Sequence, residues 1–212
     1  MRLQSWTGKA FLAAGLAALG CGPAASQTTA ALSVFGAFSG TTSGNGTAQS
    51  PSNAAGGIVE LRHIANPLVG YEGTYSFNRA NQTYNTTPFA CPVAEPVCPP
   101  PPQSPAPVSA NAHEITGDWI VSLHIANVRP FALGGLGVLI NQPVSGQAET
   151  TSSNKFVYVY GAGVDWGLLP HIGLRFQYRG NLYKAPDLTA LYTSTNKFTQ
   201  TAEPVVGAYF RF

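Results

Sequence analysis

"IGLRFQYRGNLY", residues 172–183, is the stretch on which the fold turns. Ile172, Leu174, Phe176 and Tyr178 alternate with Gly173, Arg175, Gln177 and Arg179. A period of two places each set on one face of a strand. One face is apolar and aromatic; the other carries two guanidiniums. The same split recurs upstream. Val69, Tyr71, Tyr75 and Phe77 alternate with Glu72, Thr74, Ser76 and Asn78; Trp119, Val121, Leu123 and Ile125 alternate with Asp118, Ser122 and His124. A water-soluble barrel would hide the apolar faces and cover its outside with Lys and Glu. Charged residues are only 9% of this chain, against about a quarter in ordinary soluble domains. The pattern predicts the reverse arrangement, aromatic side chains toward lipid and polar ones toward a lumen.

Working outward, alternating stretches fall at 30–39, 57–64, 68–78, 113–126, 131–140, 156–166, 172–183 and 204–212. Their connections alternate in length. Residues 65–67, 127–130 and 167–171 are short and each contains proline. Long polar loops are expected at about 40–56, 79–112, 141–154 and 184–203. Segments of about 9–11 residues suit tilted membrane strands. Short turns at one end and long loops at the other suit outer-membrane barrels, whose short turns face the periplasm. No apolar run after residue 26 nears the ~18 residues of a membrane helix. The expected fold is all-β: an eight-stranded antiparallel up-and-down transmembrane β-barrel. In the stretches 30–39 and 131–140 both faces are apolar or small, so neither can be assigned inward. Closure would pair the last stretch with the first, because an open edge in lipid strands backbone groups at several kcal/mol each. A soluble lipocalin-like carrier is the alternative fold.

Residues 1–26 read as a signal peptide: Arg2 and Lys9, then an apolar run at 10–20, then "CGPAAS" with Ala24 and Ser26 small before a cut ahead of Gln27. A lipoprotein cut at Cys21 is a second reading, poorly served by Ala18. The remaining segment, 27–212, holds nine basic and nine acidic residues and is formally neutral. No charge field draws it to nucleic acid. Its cysteines, Cys91 and Cys98 in "CPVAEPVC", are candidates for a disulfide in an exported chain. The following "PPPPQSPAPVSA" favours extended polyproline geometry.

The terminal "VVGAYFRF", together with "YGAGVDWGLLPHIGLRFQYRG" and "NPLVGYEGTYSFNR", resembles the small OmpA-like outer-membrane barrels of Gram-negative bacteria. The resemblance covers the chain after residue 26. It implies residence in the bacterial outer membrane after export through the periplasm. It also implies that Val206, Ala208, Phe210 and Phe212 form an insertion signal read by the barrel-assembly machinery. Two departures from the best-known member are expected: no peptidoglycan-binding domain after the barrel, and a Pro-rich, cysteine-bearing insert in the second long loop.

Assigning polar faces inward gives a lumen set of Glu60, Arg62, Glu72, Glu114, Asp118, Asp165, Arg175, Arg179 and Arg211. Eight strands enclose a space that side chains just fill. Charges there must pair, because an isolated buried ion costs several kcal/mol. Arg175 and Arg179 share a face about 13 Å apart, with Glu72 and Asp118 as expected partners. A salt-bridged plug and a narrow ion path are the competing readings. Ser122 with His124 lacks a third orienting group, so catalysis is not expected. "GAGVDWG", residues 161–167, lacks dinucleotide-fingerprint spacing and a following helix. No cofactor or metal is expected. The functional expectation is a structural, loop-displaying outer-membrane protein with outer-membrane lipid as its surroundings. A small low-conductance pore is the alternative, a lipid-modifying barrel enzyme a remote one, and a surface ligand at the long loops an open partner.

Overall fold

A computed structural model of the chain describes residues 26–66, 68–86, 107–147 and 149–212. Ten strands follow in order: β1 (Gln27–Ser39), β2 (Thr42–Gly44), β3 (Thr47–Pro51), β4 (Ala54–Ile64), β5 (Val69–Thr86), β6 (Val108–Ser122), β7 (Val128–Pro143), β8 (Ser153–Gly167), β9 (Ile172–Lys184) and β10 (Phe198–Arg211). Eight of them, β1 and β4 to β10, close into an antiparallel ring. Each ring strand pairs with its neighbours in sequence, and β10 closes on β1 from Thr29↔Arg211 to Ser39↔Thr201. The amide of Phe212 continues that ladder by donating to the Thr28 carbonyl at 3.1 Å. No helix among the described residues is long and apolar enough to cross a membrane.

The two faces are sorted by burial. Ser33, Glu60, Arg62, Glu72, Thr74, Asp118, Arg175, Gln177 and Arg179 are buried, while Trp119 is 69% and Phe156 79% exposed. An outside covered with Leu, Val, Phe, Tyr and Trp is far beyond the scattered apolar residues normal on a soluble monomer. A lipocalin-like carrier needs the opposite arrangement, so that alternative falls.

The stretches that were ambiguous in sequence resolve through their neighbours. β1 turns Thr29, Ala31, Ser33 and Phe35 inward and Leu32 and Val34 outward. β7 turns Gly135 inward, where a β-carbon would overlap Asp118 Oδ1 and the Gly117 carbonyl. Glycine is required there by the close approach of the β6 backbone at Gly117 and Asp118, which Gly135 itself does not reveal.

At the short-turn end, Asn66 Oδ1 accepts from the amides of Leu68 (3.1 Å) and Val69 (2.8 Å), folding the β4–β5 turn around an Asx motif. The β6–β7 reversal sits earlier than expected. β6 ends at Ser122, and Ile125 and Val128 exchange both backbone hydrogen bonds at 2.9 Å. Its centre is therefore Ala126–Asn127, with Ala126 held at a φ of 53°.

The opposite end differs more from expectation. Residues 40–56 contain a hairpin, β2 paired with β3, around Asn45 (φ 50°) and Gly46 (φ 77°). Asn-Gly with both φ positive is the favoured two-residue hairpin turn. β3 then pairs onto the far half of β5, from Thr47↔Thr86 to Pro51↔Gln82. β5 runs on past 78 to Thr86, β6 starts at Val108, and β10 starts at Phe198, each longer than the alternation alone marked out. Tyr84, Val108, Ala110 and Leu188 form a small apolar cluster there. The Tyr84 hydroxyl donates to the Pro186 carbonyl and accepts from the Leu188 amide, both at 3.1 Å. The segment between β9 and β10 is thus folded against β3 and β5. Cys91 and Cys98 lie outside the described residues, as does the expected signal segment up to residue 25.

Candidate functional site

The lumen is the site, and alternate residues of the eight ring strands build it. Toward the short-turn end, β4, β5, β8 and β9 each contribute charge, from Arg62, Glu72, Asp165 and Arg175, two or three residues from the ends of their strands. Arg62 Nε reaches Glu72 Oε2 at 2.7 Å and its Nη1 reaches Asp165 Oδ2 at 3.0 Å. Arg175 forks onto Asp165, Nε to Oδ1 at 2.7 Å and Nη2 to Oδ2 at 3.0 Å. Its Nη1 lies 3.1 Å from Glu72 Oε2 and 3.5 Å from Glu60 Oε2. Glu60 also accepts from Ser33 Oγ (2.9 Å) and Gln177 Nε2 (2.6 Å). The Arg62 guanidinium lies 4.0 Å from the centre of the Phe131 ring, which adds a cation–π contact. Arg175 is 0% exposed.

A second tier lies one turn of the register toward the long-loop end. Arg179 Nη1 is 3.3 Å from Asp118 Oδ2 and its Nη2 3.6 Å from Glu114 Oε1. Thr116 Oγ1 donates to Asp118 Oδ2 at 3.0 Å, and Asn181 Nδ2 to Glu114 Oε2 at 2.9 Å. Glu203 is buried here too.

Arg211, by contrast, stands at the short-turn mouth and meets none of these carboxylates among the described residues; its Nη2 donates to the Tyr209 hydroxyl at 3.4 Å. Arg129 stands at the same mouth, donating from Nη2 to Gln27 Oε1 at 2.8 Å. The strand limits read from alternation leave Glu203 and Arg129 in connections, outside the expected lumen set. The signal was available: stepping back by two from Tyr209 through Val205 reaches Glu203, and from Phe131 reaches Arg129.

Two cavities flank the charged tiers. One, of about 50 Å³, lies toward the long-loop end and is lined by residues including Glu114, Asn181 and Glu203. The other, of about 360 Å³, lies at the short-turn mouth. Neither is lined by Arg62, Glu72, Arg175 or Arg179. What this arrangement does chemically is hold charge in place. Planar guanidiniums match carboxylates two bonds at a time, and removing one member of such a set leaves an uncompensated buried ion.

The remaining candidate residues fall elsewhere. Ser122 is buried, and its Oγ has no hydrogen-bond partner; His124 is exposed at the turn, with Arg129 Nη2 3.4 Å from its Nδ1. They do not form a nucleophile–base pair. Residues 161–167 lie wholly in β8, with Asp165 engaged as above. Val206, Phe210 and Phe212 are exposed on the outer face, beside Ala208. Among the described residues no group of three His, Cys, Asp or Glu side chains gathers in a way that would hold a metal ion.

A model of the outer membrane protein beta-barrel domain matches residues 11–212. No curated protein matches the chain. Among solved structures, the chain is similar to the outer membrane protein OprG of Pseudomonas aeruginosa, at 9% identity and a TM-score of 0.56, over 90% of this chain and 98% of that one. It is also similar to Neisserial surface protein A, at 14% identity and a TM-score of 0.52, over 91% of this chain and 100% of that one. At such identities the likeness is one of fold.

Proposed function

The chain belongs to the outer membrane protein beta-barrel domain family and resides in the bacterial outer membrane, and we propose that it is a closed scaffold there, not a channel. On this reading the barrel presents its long-loop end to the outside and keeps its lumen shut. The observation that carries the reading is the charged cluster above the short-turn mouth, in which Arg62, Glu72, Asp165 and Arg175 from four strands meet at 2.7–3.1 Å and cross the lumen. An ion crossing the barrel would have to break these pairs, and each buried pair that loses a partner costs about 3–5 kcal/mol. The exposed aromatic face is read as contacting lipid, Val206, Ala208, Phe210 and Phe212 as the strand recognised during assembly, and the long-loop end as the place for any surface ligand. The chemistry of the lumen supports no catalytic step.

The test is single-channel recording of the purified chain in planar bilayers. The scaffold reading expects no unitary steps at high salt. Reproducible steps that change size in Arg175→Gln would replace the scaffold with the low-conductance pore.

A further inference from the structure

Arg129 and Arg211 differ from every other arginine in the lumen. Both are partly buried, and among the described residues neither lies within ion-pair distance of a carboxylate. Arg211 Nε is buried with no hydrogen-bond partner. The two side chains share the mouth cavity with His124, Asn127, Leu168 and a single acid, Asp165. That acid is already committed: Oδ1 accepts from Arg175 Nε, and Oδ2 from Arg62 Nη1 and Arg175 Nη2.

A buried carboxylate without a partner can take up a proton. A guanidinium does not shed one in a protein. Two guanidiniums lining one cavity therefore keep their charge, and only solvent or an anion can offset it. The cavity, about 360 Å³, is many times one water's share of about 30 Å³. The free edges of the guanidiniums present forked N–H donors that match phosphate and carboxylate oxygens. His124 adds a donor: its Nδ1 accepts from Arg129, which leaves the proton of the neutral ring on Nε2.

We propose that the short-turn mouth of the barrel binds a phosphate-type oxyanion, gripped by Arg129 and Arg211 with His124 at the rim. The same chemistry is offered by free phosphate in the periplasm and by the headgroup of an anionic phospholipid in the adjoining leaflet. Exposed Leu168, Leu169 and Phe212 beside the mouth suit the acyl part of the second source. This site is independent of whether the lumen conducts.

The experiment uses the full chain folded in detergent micelles. One arm titrates inorganic phosphate by calorimetry; the other adds phosphatidylglycerol or phosphatidylcholine and counts bound lipid by native mass spectrometry. Saturable uptake of one phosphate, or of one phosphatidylglycerol in preference to phosphatidylcholine, is expected and identifies the source. Affinity should fall about tenfold or more in Arg129→Gln or Arg211→Gln, the scale of one charge-assisted hydrogen bond, and stay unchanged in Lys155→Gln at the other end. Heat-dependent gel mobility checks that each variant is folded. If the neutral variants do not fold, the pair Arg129→Lys with Arg211→Lys keeps the charge but loses the fork, and should bind several-fold more weakly. Failure of both probes to saturate, or wild-type affinity in the folded variants, overturns the proposal.

Discussion

Replacing Arg175 with methionine gives the sharpest test of how the lumen is held. The guanidinium makes three close charged contacts, at 2.7 and 3.0 Å to Asp165 and 3.1 Å to Glu72, and a looser one at 3.5 Å to Glu60. Hydrogen bonds to charged groups contribute about 1.5–3 kcal/mol each, so three set an upper range of roughly 4.5–9 kcal/mol. Arg62 still serves Glu72 and Asp165 in the variant, and Glu60 keeps Ser33 and Gln177. The expected loss is therefore about 3–5 kcal/mol, the cost of leaving one carboxylate buried without its cation. Reversible urea unfolding in lipid vesicles, followed by gel mobility and tryptophan fluorescence, reads the difference. A companion variant, Arg175→Met with Asp165→Leu, removes the fork from both sides and should recover much of the loss, since coupled partners are not additive. If Arg175→Met unfolds within about 1 kcal/mol of wild type, the cluster is not what secures the barrel.

Ala126→Gly should stabilise the chain by about 1 kcal/mol in the same assay, because an alanine at φ 53° bears a left-handed strain that glycine does not. Phe212→Ala should slow assembly into vesicles that carry the barrel-assembly machinery while leaving the unfolding midpoint of the assembled fraction nearly unchanged; equal assembly rates there would remove the insertion-signal reading. Burial, then the guanidiniums of Arg129 and Arg211, hold the His124 imidazole below its ordinary pKa of 6.5. The folded chain thus resists a proton that the unfolded chain accepts, so the contribution of this residue is complete above that value and declines as pH falls below it. A pH series of unfolding midpoints should show that decline, and His124→Gln should flatten it.

Residues 172–183 announce a strand with two different faces because Arg175 and Arg179 fall at even spacing among aromatic neighbours. Sorting of that kind needs two contrasting solvents, and it fades where the contrast does. Residues 79–86, "RANQTYNT", belong to β5, but one side is polar and the other mixes Ala80 and Tyr84 with Gln82 and Thr86, so period two leaves only a faint mark there. The β2–β3 hairpin was legible in Asn45–Gly46 yet hidden by low-complexity surroundings of Ser, Thr, Gly and Ala. Partner choice is less readable still. Asp165 stands directly opposite Arg175 in the β8–β9 register, and register between strands is set by turn lengths and the stagger of the whole cylinder. Alternation along one strand carries no such information.

The length of β5 reaches past the barrel. Its 18 residues span about 60 Å of contour at ~3.3 Å each, or about 45 Å of height at a tilt near 40°, against an apolar band about 25 Å tall. Roughly 20 Å of braced ladder therefore stands clear of the hydrocarbon, stiffened on one flank by β3. On the scaffold reading, an antibody or protease approaching the cell would reach the Asn45–Gly46 hairpin turn at the flank of that ladder well before any residue of the membrane girdle, and changes there would leave the ion pairs in the cylinder untouched.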